Sequence, residues 1–243
     1  RPPRSTLFPY TTLFRSDPNH RDKTFFCFDE KHGHRAGEAT ANGVLKLDRE
    51  IAEAVKADGA KAALGFGFLD SQQAFYDGYS LNASEGEWAK RRYLDPFTPV
   101  IARAEVRRAR RDMNQALLNR FNIAFDLNFH GSQLKDYPHI AEYGRRIKAL
   151  RERYAAELWN AEFVERQGAQ VNGPDLSYSV FAGRNGKRAV VVVNMGTERA
   201  SKAEVTLPGA SAMAYASPED PAQKTFGGSV EIAPQSAVVI FEK

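Results

Sequence analysis

Sulfur is scarce in this chain. One cysteine, Cys27, stands among 243 residues, which excludes an internal disulfide and a cysteine-based zinc site. Long apolar runs are missing too. Even Ala189 to Val193 is strand-sized, far short of the ~18 residues that a membrane-spanning helix requires, and no membrane partner is expected. No glycine-rich phosphate loop follows a strand: Gly65-Phe66-Gly67 lies inside a strand-like run and lacks the third glycine, so a nucleotide-binding fold gains little support and no cofactor is expected. What is present, 42% hydrophobic and 26% charged residues, is an ordinary globular composition, sized for one large domain or one plus a small one.

The formal net charge of +4 invites a nucleic-acid reading, but much of it sits at the front. Residues 1–16, from Arg1-Pro2-Pro3-Arg4 to Leu13-Phe14-Arg15-Ser16, resemble the unbroken translation of a sequencing-library adapter. They are expected to be a disordered artefact and are set aside from the fold. Without Arg1, Arg4 and Arg15 the basic residues fall from 34 to 31 against 30 acids, a net charge of +1. General attraction to phosphate loses its basis, and no nucleic acid is expected as partner. The same resemblance implies that the native protein begins upstream and that this is its C-terminal part.

From Thr24 to about Gln167 short apolar runs alternate with amphipathic stretches. Phe25 to Phe28 reads as a strand buried on both faces and ending at Asp29-Glu30. Asp48 opens a helical pattern through Ile51 and Val55, closed by Gly59. Ala62 to Leu69 is a second strand-like run, ending at Asp70, with helical material at 72–79 and 85–92. Val100 to Ala102 is the third strand. Met113, Leu117, Leu118 and Phe121 form a helical stripe, and Asn122 to Leu127 a fourth strand. Ile140, Tyr143, Ile147, Leu150, Tyr154 and Leu158 mark a long helix. Four strand–helix units predict an α/β fold with a parallel sheet, either doubly wound or a barrel. The barrel is favoured because acids close the strands at Asp29-Glu30, Asp70 and Asp126, where barrels carry their working groups. Four units make a partial (βα)8 barrel, over residues 17–168.

From Asp175 the rhythm shifts to period two. Six short strands between Tyr178 and Phe241, with a turn at Arg184-Asn185-Gly186, predict a small antiparallel β-sandwich over 175–243.

Two features carry a family resemblance. One is the helix Asp136-Tyr137-Pro138…Ile147…Leu150-Arg151…Tyr154…Leu158-Trp159-Asn160-Ala161-Glu162-Phe163; the other is the closing Ala233-Pro234-Gln235-Ser236-Ala237-Val238-Val239. Together they resemble the C-terminal half of bacterial glycoside-hydrolase-like barrel proteins. Phe28-Asp29-Glu30-Lys31-His32-Gly33-His34 is similar to an element of one uncharacterised subgroup. The resemblance implies a protein that hydrolyses glycosidic bonds with carbohydrate as partner. It also implies an acid in the strand at 65–68, where Phe66 and Phe68 stand instead. A non-catalytic carbohydrate-binding barrel is therefore the alternative.

Glycoside hydrolysis needs two carboxyl groups about one bond. Asp29 and Asp70 are the candidate pair, with Glu30 and Asp126 in reserve, although such acids also serve as helix caps and loop anchors. His32 and His34 follow a strand and suit contact with sugar hydroxyls. Their spacing, with Asp29, Asp126 and His130, also fits a metal-dependent amidohydrolase-type hydrolase, but the pair lies in a loop and His20 and His139 lack ligand spacing; no metal is assigned. Among Phe75, Tyr76, Tyr79, Trp88 and Tyr93, most read as core, and Trp88 is the candidate for stacking on a sugar. Arg103, Arg107, Arg108, Arg110 and Arg111 read as a solvated face or as partners of carboxylates. Half a barrel exposes strand edges and an apolar face, which implies self-association and no activity for the chain on its own.

Overall fold

The computed structural model describes residues 26–29, 31, 33–61, 63–65, 75, 77–81, 92–93, 96–127 and 133–243. Two short strands, β1 (Phe26–Cys27) and β2 (Glu38–Ala39), pair antiparallel. Helix α1 (Thr40–Ala57) leads to β3 (Ala63–Gly65). Then come β4 (Gly78–Leu81), β5 (Val100–Glu105), α2 (Ala109–Leu118), β6 (Asn122–Asp126) and α3 (Pro138–Arg153). Strands β3 to β6 form a four-stranded parallel sheet in chain order.

Phe25 to Phe28 is expected as a doubly buried strand of that sheet; Phe25 lies outside the described residues, and Phe26 to Phe28 are not part of the sheet. Phe26 is 63% and Phe28 73% exposed. The chain folds back at Gly37, which holds φ +81° and donates its N–H to the Cys27 carbonyl at 2.7 Å, so the segment pairs with β2 instead. The missing fourth strand is β4, which overlaps the end of the stretch 72–79 expected to be helical and continues past it. Gly78 allows it: a Cβ there would stand 2.9 Å from the Pro99 carbonyl oxygen. Helix α1 begins at Thr40, well ahead of Asp48, which lies buried within it.

The rest of the chain is β-rich. Strands β7 (Glu162–Phe163), β8 (Gln170–Asn172), β9 (Leu176–Ala182), β10 (Arg188–Asn194) and β11 (Ser201–Thr206) come first. Next are β12 (Met213–Ala216), β13 (Lys224–Thr225), β14 (Ser229–Ile232) and β15 (Ala237–Glu242). They build a six-stranded antiparallel sheet, β13-β12-β15-β10-β9-β7, and a three-stranded one, β14-β11-β8. The central strands β10 and β15 are near-continuous apolar runs because both of their faces are covered. Ala189, Val191 and Val193 share a core with α2 and α3, whereas Val190 and Val192 pack with Ala203 and Val205 of the small sheet.

Helix α3 starts at Pro138, whose missing N–H costs nothing at a first helical position. Its stripe of Ile140, Tyr143, Ile147 and Leu150 is buried. The helical layer is fastened to the β-rich region by polar contacts. Arg110 and Asn114 both donate to the Gln235 carbonyl, at 2.7 and 2.8 Å, and the Arg110 guanidinium lies 3.9 Å over the Tyr143 ring. The end of α2 is capped by cations. Arg120 takes a left-handed φ of +55° there, a conformation that costs a non-glycine residue about 1 kcal/mol. It is held in place because Arg92 donates to the Asn119 and Arg120 carbonyls and Arg151 to those of Ala116 and Phe121. Burial first, then the Arg92 and Arg120 charges, pull the Arg151 guanidinium down to about 9, so it stays protonated at neutral pH.

Candidate functional site at the strand ends

The register of the parallel sheet sorts its side chains. On β5, Val100, Ala102 and Ala104 are buried, and Ala104 packs in the core shared with α2 and α3. Ile101, Arg103 and Glu105 alternate with them and stand on the opposite face. Their partners on β6 are Asn122, Ala124 and Asp126. Two acids, Glu105 and Asp126, thus close neighbouring strands at the same level of the sheet.

Glu105 is fixed from behind. Its N–H donates to the Asp112 carboxylate at 3.0 Å, and Arg108 spans both acids, reaching Glu105 at 3.1 Å and Asp112 at 3.3 Å. Burial raises the Asp112 carboxyl above its ordinary value, against the pull of the Glu105 N–H and of Arg108. The arginine run expected to pair with carboxylates does so here and at Glu219, which Arg110 contacts. Arg103 separates from the run by lying within β5.

Asp29 follows β1, outside the parallel sheet. It is exposed, and its Oδ1 accepts the Lys31 N–H at 2.9 Å, the contact of a loop anchor. His34 is exposed nearby, its Nδ1 3.0 Å from the Arg35 carbonyl oxygen. It lines an open cavity of about 890 Å³ with Arg35, Glu38, Asn42 and Lys46. Asp126 is placed by its backbone at the end of β6. Glu30, His32, Asp70 and Trp88, and with them Phe66, Phe68 and His130, lie outside the described residues. Among the described residues no group of three or more His, Cys, Asp or Glu side chains could hold a metal ion, and no helix is long and apolar enough to cross a membrane.

Glu105 escapes a sequence reading that ends the third strand at Ala102. The signal was there: Arg103 and Glu105 alternate with Ala102 and Ala104, the rhythm of a strand with one buried face.

No family model matches the chain, and no curated protein does. Solved structures do match. One is a GH27 β-L-arabinopyranosidase from Geobacillus stearothermophilus, at TM-score 0.52 and 9% identity over 89% of this chain and 55% of that one. A substituted variant of the same enzyme in complex with arabinose matches at TM-score 0.54 and 11% identity, over 89% of this chain and 56% of that one. The fold is glycoside-hydrolase-like. The chain spans a little over half the length of those structures, and at such identity the likeness concerns the fold alone.

Proposed function

We propose that this chain is the C-terminal part of a glycoside-hydrolase-like (βα)8 barrel over residues 17–168, with a β-sandwich at 175–243 and residues 1–16 an adapter-derived leader. Its function is hydrolysis of glycosidic bonds by a pair of rim carboxylates. The observation that carries this reading is the likeness in fold to a β-L-arabinopyranosidase, one of whose structures holds arabinose. Four parallel strands in chain order support it, since they are half of the eight in such a barrel.

The carboxylate candidates are Asp29, Asp70 and Glu30, which Glu105 now joins through its place beside Asp126. His32, His34, Trp88 and Asp126 are the candidates for sugar contact. Carboxyl groups about 5 Å apart would serve as nucleophile and acid, and a wider pair would admit a water for inversion. Saturation-transfer NMR with arabinose and a panel of pyranosides tests the reading. Binding is expected, weakened about tenfold by Asp126→Asn and by Glu105→Gln through loss of a charged acceptor. Absence of transfer to every pyranoside overturns it.

Phe66 and Phe68, at the strand where the resemblance implies an acid, favour a second reading: a carbohydrate-binding barrel without catalysis. Turnover of an aryl glycoside by this chain would exclude that reading.

A further inference from the structure

Asparagine precedes glycine three times in this chain, at Asn42-Gly43, Asn172-Gly173 and Asn185-Gly186. Glycine has no Cβ to shield its nitrogen, so that nitrogen can attack the side-chain amide carbon of the asparagine before it. Attack needs an amide that can turn and an N–H that can give up its proton. The fold withholds both from two of the pairs. In α1, Gly43 is the fourth residue, so its N–H is the first that the helical ladder engages, and helix side chains lean toward the N-terminus, which carries the Asn42 amide away from Gly43. In the β9–β10 turn the Gly186 N–H donates to the Gly183 carbonyl at 2.9 Å. The Asn185 amide is held at both ends, its Oδ1 by the Lys187 N–H at 3.1 Å and its Nδ2 by Glu157 at 3.0 Å.

Asn172 differs on both counts. It ends β8, which among the described residues is an edge strand of the small sheet. Val205 of β11 donates its N–H to Gly228 on the β14 side at 3.0 Å, so the N–H of the adjacent Glu204 points to β8, where Asn172 is its register partner. The Asn172 carbonyl therefore faces β11, and across the trans peptide the Gly173 N–H faces out of the open edge. The Asn172 side chain is exposed on the outer face of the sheet, opposite Glu204. Glycine follows it for backbone reasons: Gly173 holds φ +146°, and a Cβ there would stand 2.5 Å from both the Lys202 carbonyl oxygen and the Leu176 side chain. The turn from β8 to β9 thus demands the residue that opens Asn172 to attack. The small sheet and the helical layer cover opposite faces of the six-stranded sheet, so Asn172 lies on the far side of that sheet from the β3 and β6 edges, where the upstream part of a barrel would join.

We propose that Asn172 is a deamidation site built into the sandwich, with water as its co-reactant, and that its conversion loosens β8. The Gly173 nitrogen gives its proton to solvent and forms a bond to the Asn172 side-chain carbon; the bond from that carbon to Nδ2 breaks, and ammonia leaves with a proton from solvent. Water then opens the resulting succinimide. Addition at the side-chain carbonyl gives aspartate, and addition at the main-chain carbonyl gives isoaspartate, whose backbone runs through the former side chain. Either product turns a neutral amide into a carboxylate directly across from Glu204, whose charge is met by exposed Lys202 at 3.3 Å. Like charges in opposed positions weaken a strand pair. Isoaspartate also lengthens the backbone where β8 enters its turn. The inference is independent of the glycosidase reading.

Peptide mapping by mass spectrometry of the full chain, held for weeks at neutral pH, tests the inference, with isoaspartate scored by enzymatic methylation. Asn172 should convert about tenfold faster than Asn42 or Asn185, the factor that one hydrogen bond added to the barrier supplies. In the urea-unfolded chain the three should convert within about threefold of one another, because the contacts that separate them are gone. Asn172→Asp should quicken amide exchange along β8 about threefold, and adding Glu204→Gln should reverse the change. Four results would overturn the proposal: Asn172 left unconverted, Asn42 or Asn185 converting as fast in the folded chain, a preference for Asn172 that persists in urea, or β8 exchange unmoved by Asn172→Asp.

Discussion

The β-rich region and the parallel sheet follow opposite rules of cohesion. In the first, β10 and β15 run for seven and six residues and are covered on both faces, so Val190 to Val193 are fully buried. In the second, β3 and β4 are three and four residues long, and among the described residues β3 and β6 have one partner each. One region closes its own core. The other presents unfinished edges, and what it gains in return is a set of polar strand ends, Glu105 and Asp126, that a closed core would not tolerate.

The sharpest attempt to break this contrast compares two phenylalanines. Phe181→Ala removes a ring that is 1% exposed and packs edge-on to Phe163, so a loss of about 3–5 kcal/mol is expected. Phe28→Ala, at 73% exposure, should cost less than about 0.5 kcal/mol. Equal losses in urea unfolding would show that the β1–β2 hairpin is as well anchored as the sandwich.

Arg151 lies between the two regions. Arg151→Met removes a donor from the Phe121 carbonyl and one of two donors from the Ala116 carbonyl, which keeps the Phe121 N–H at 2.8 Å, and about 1–3 kcal/mol should be lost. Because these carbonyls form the turn that feeds β6, hydrogen exchange should quicken at β6 more than at β10. Uniform quickening would mean that the regions unfold as one.

The smallest expected effect is confined to the β-rich side. Glu242 receives Arg188 Nε at 2.8 Å, Nη2 at 3.0 Å and the Arg188 N–H at 3.1 Å. Arg188 holds its carboxyl below the ordinary 4.5. The folded state therefore binds this proton less readily than the unfolded chain. The resulting stability, about 1–2 kcal/mol, is in full above about pH 4.5 and fades as the pH falls through the lowered value. Glu242→Gln should lower stability at pH 7 and flatten the acid limb of the profile between pH 3 and 5, roughly the range in which carboxylates titrate. An unchanged acid limb would show the pair to be idle.

Much of the fold is legible in the chain because its signals are local. The stripe of α3 repeats at three and four residues, and the turn at Asn185-Gly186 forms with Gly186 at φ +77° and the Lys187 N–H on the Asn185 side chain at 3.1 Å. The residues that carry the family resemblance are mostly packing residues. Ile147 and Leu150 are buried, Tyr154 stacks 4.4 Å from Phe241, and Gln235 receives Arg110 and Asn114. They announce a fold and leave its chemistry open. Strand β4 is misleading because Phe75, Tyr76 and Tyr79 recur at helical steps, whereas its state is set by neighbours on both sides.

Periodicity, turn chemistry and chain order thus come from the amino acids, since each depends on residues within a few positions of one another. The pairing of Glu105 with Asp126 and the exile of Phe26 to Phe28 from the parallel sheet come from packing. Register between strands is settled by which faces are buried together, and that choice is made across distances in the chain that no local pattern spans.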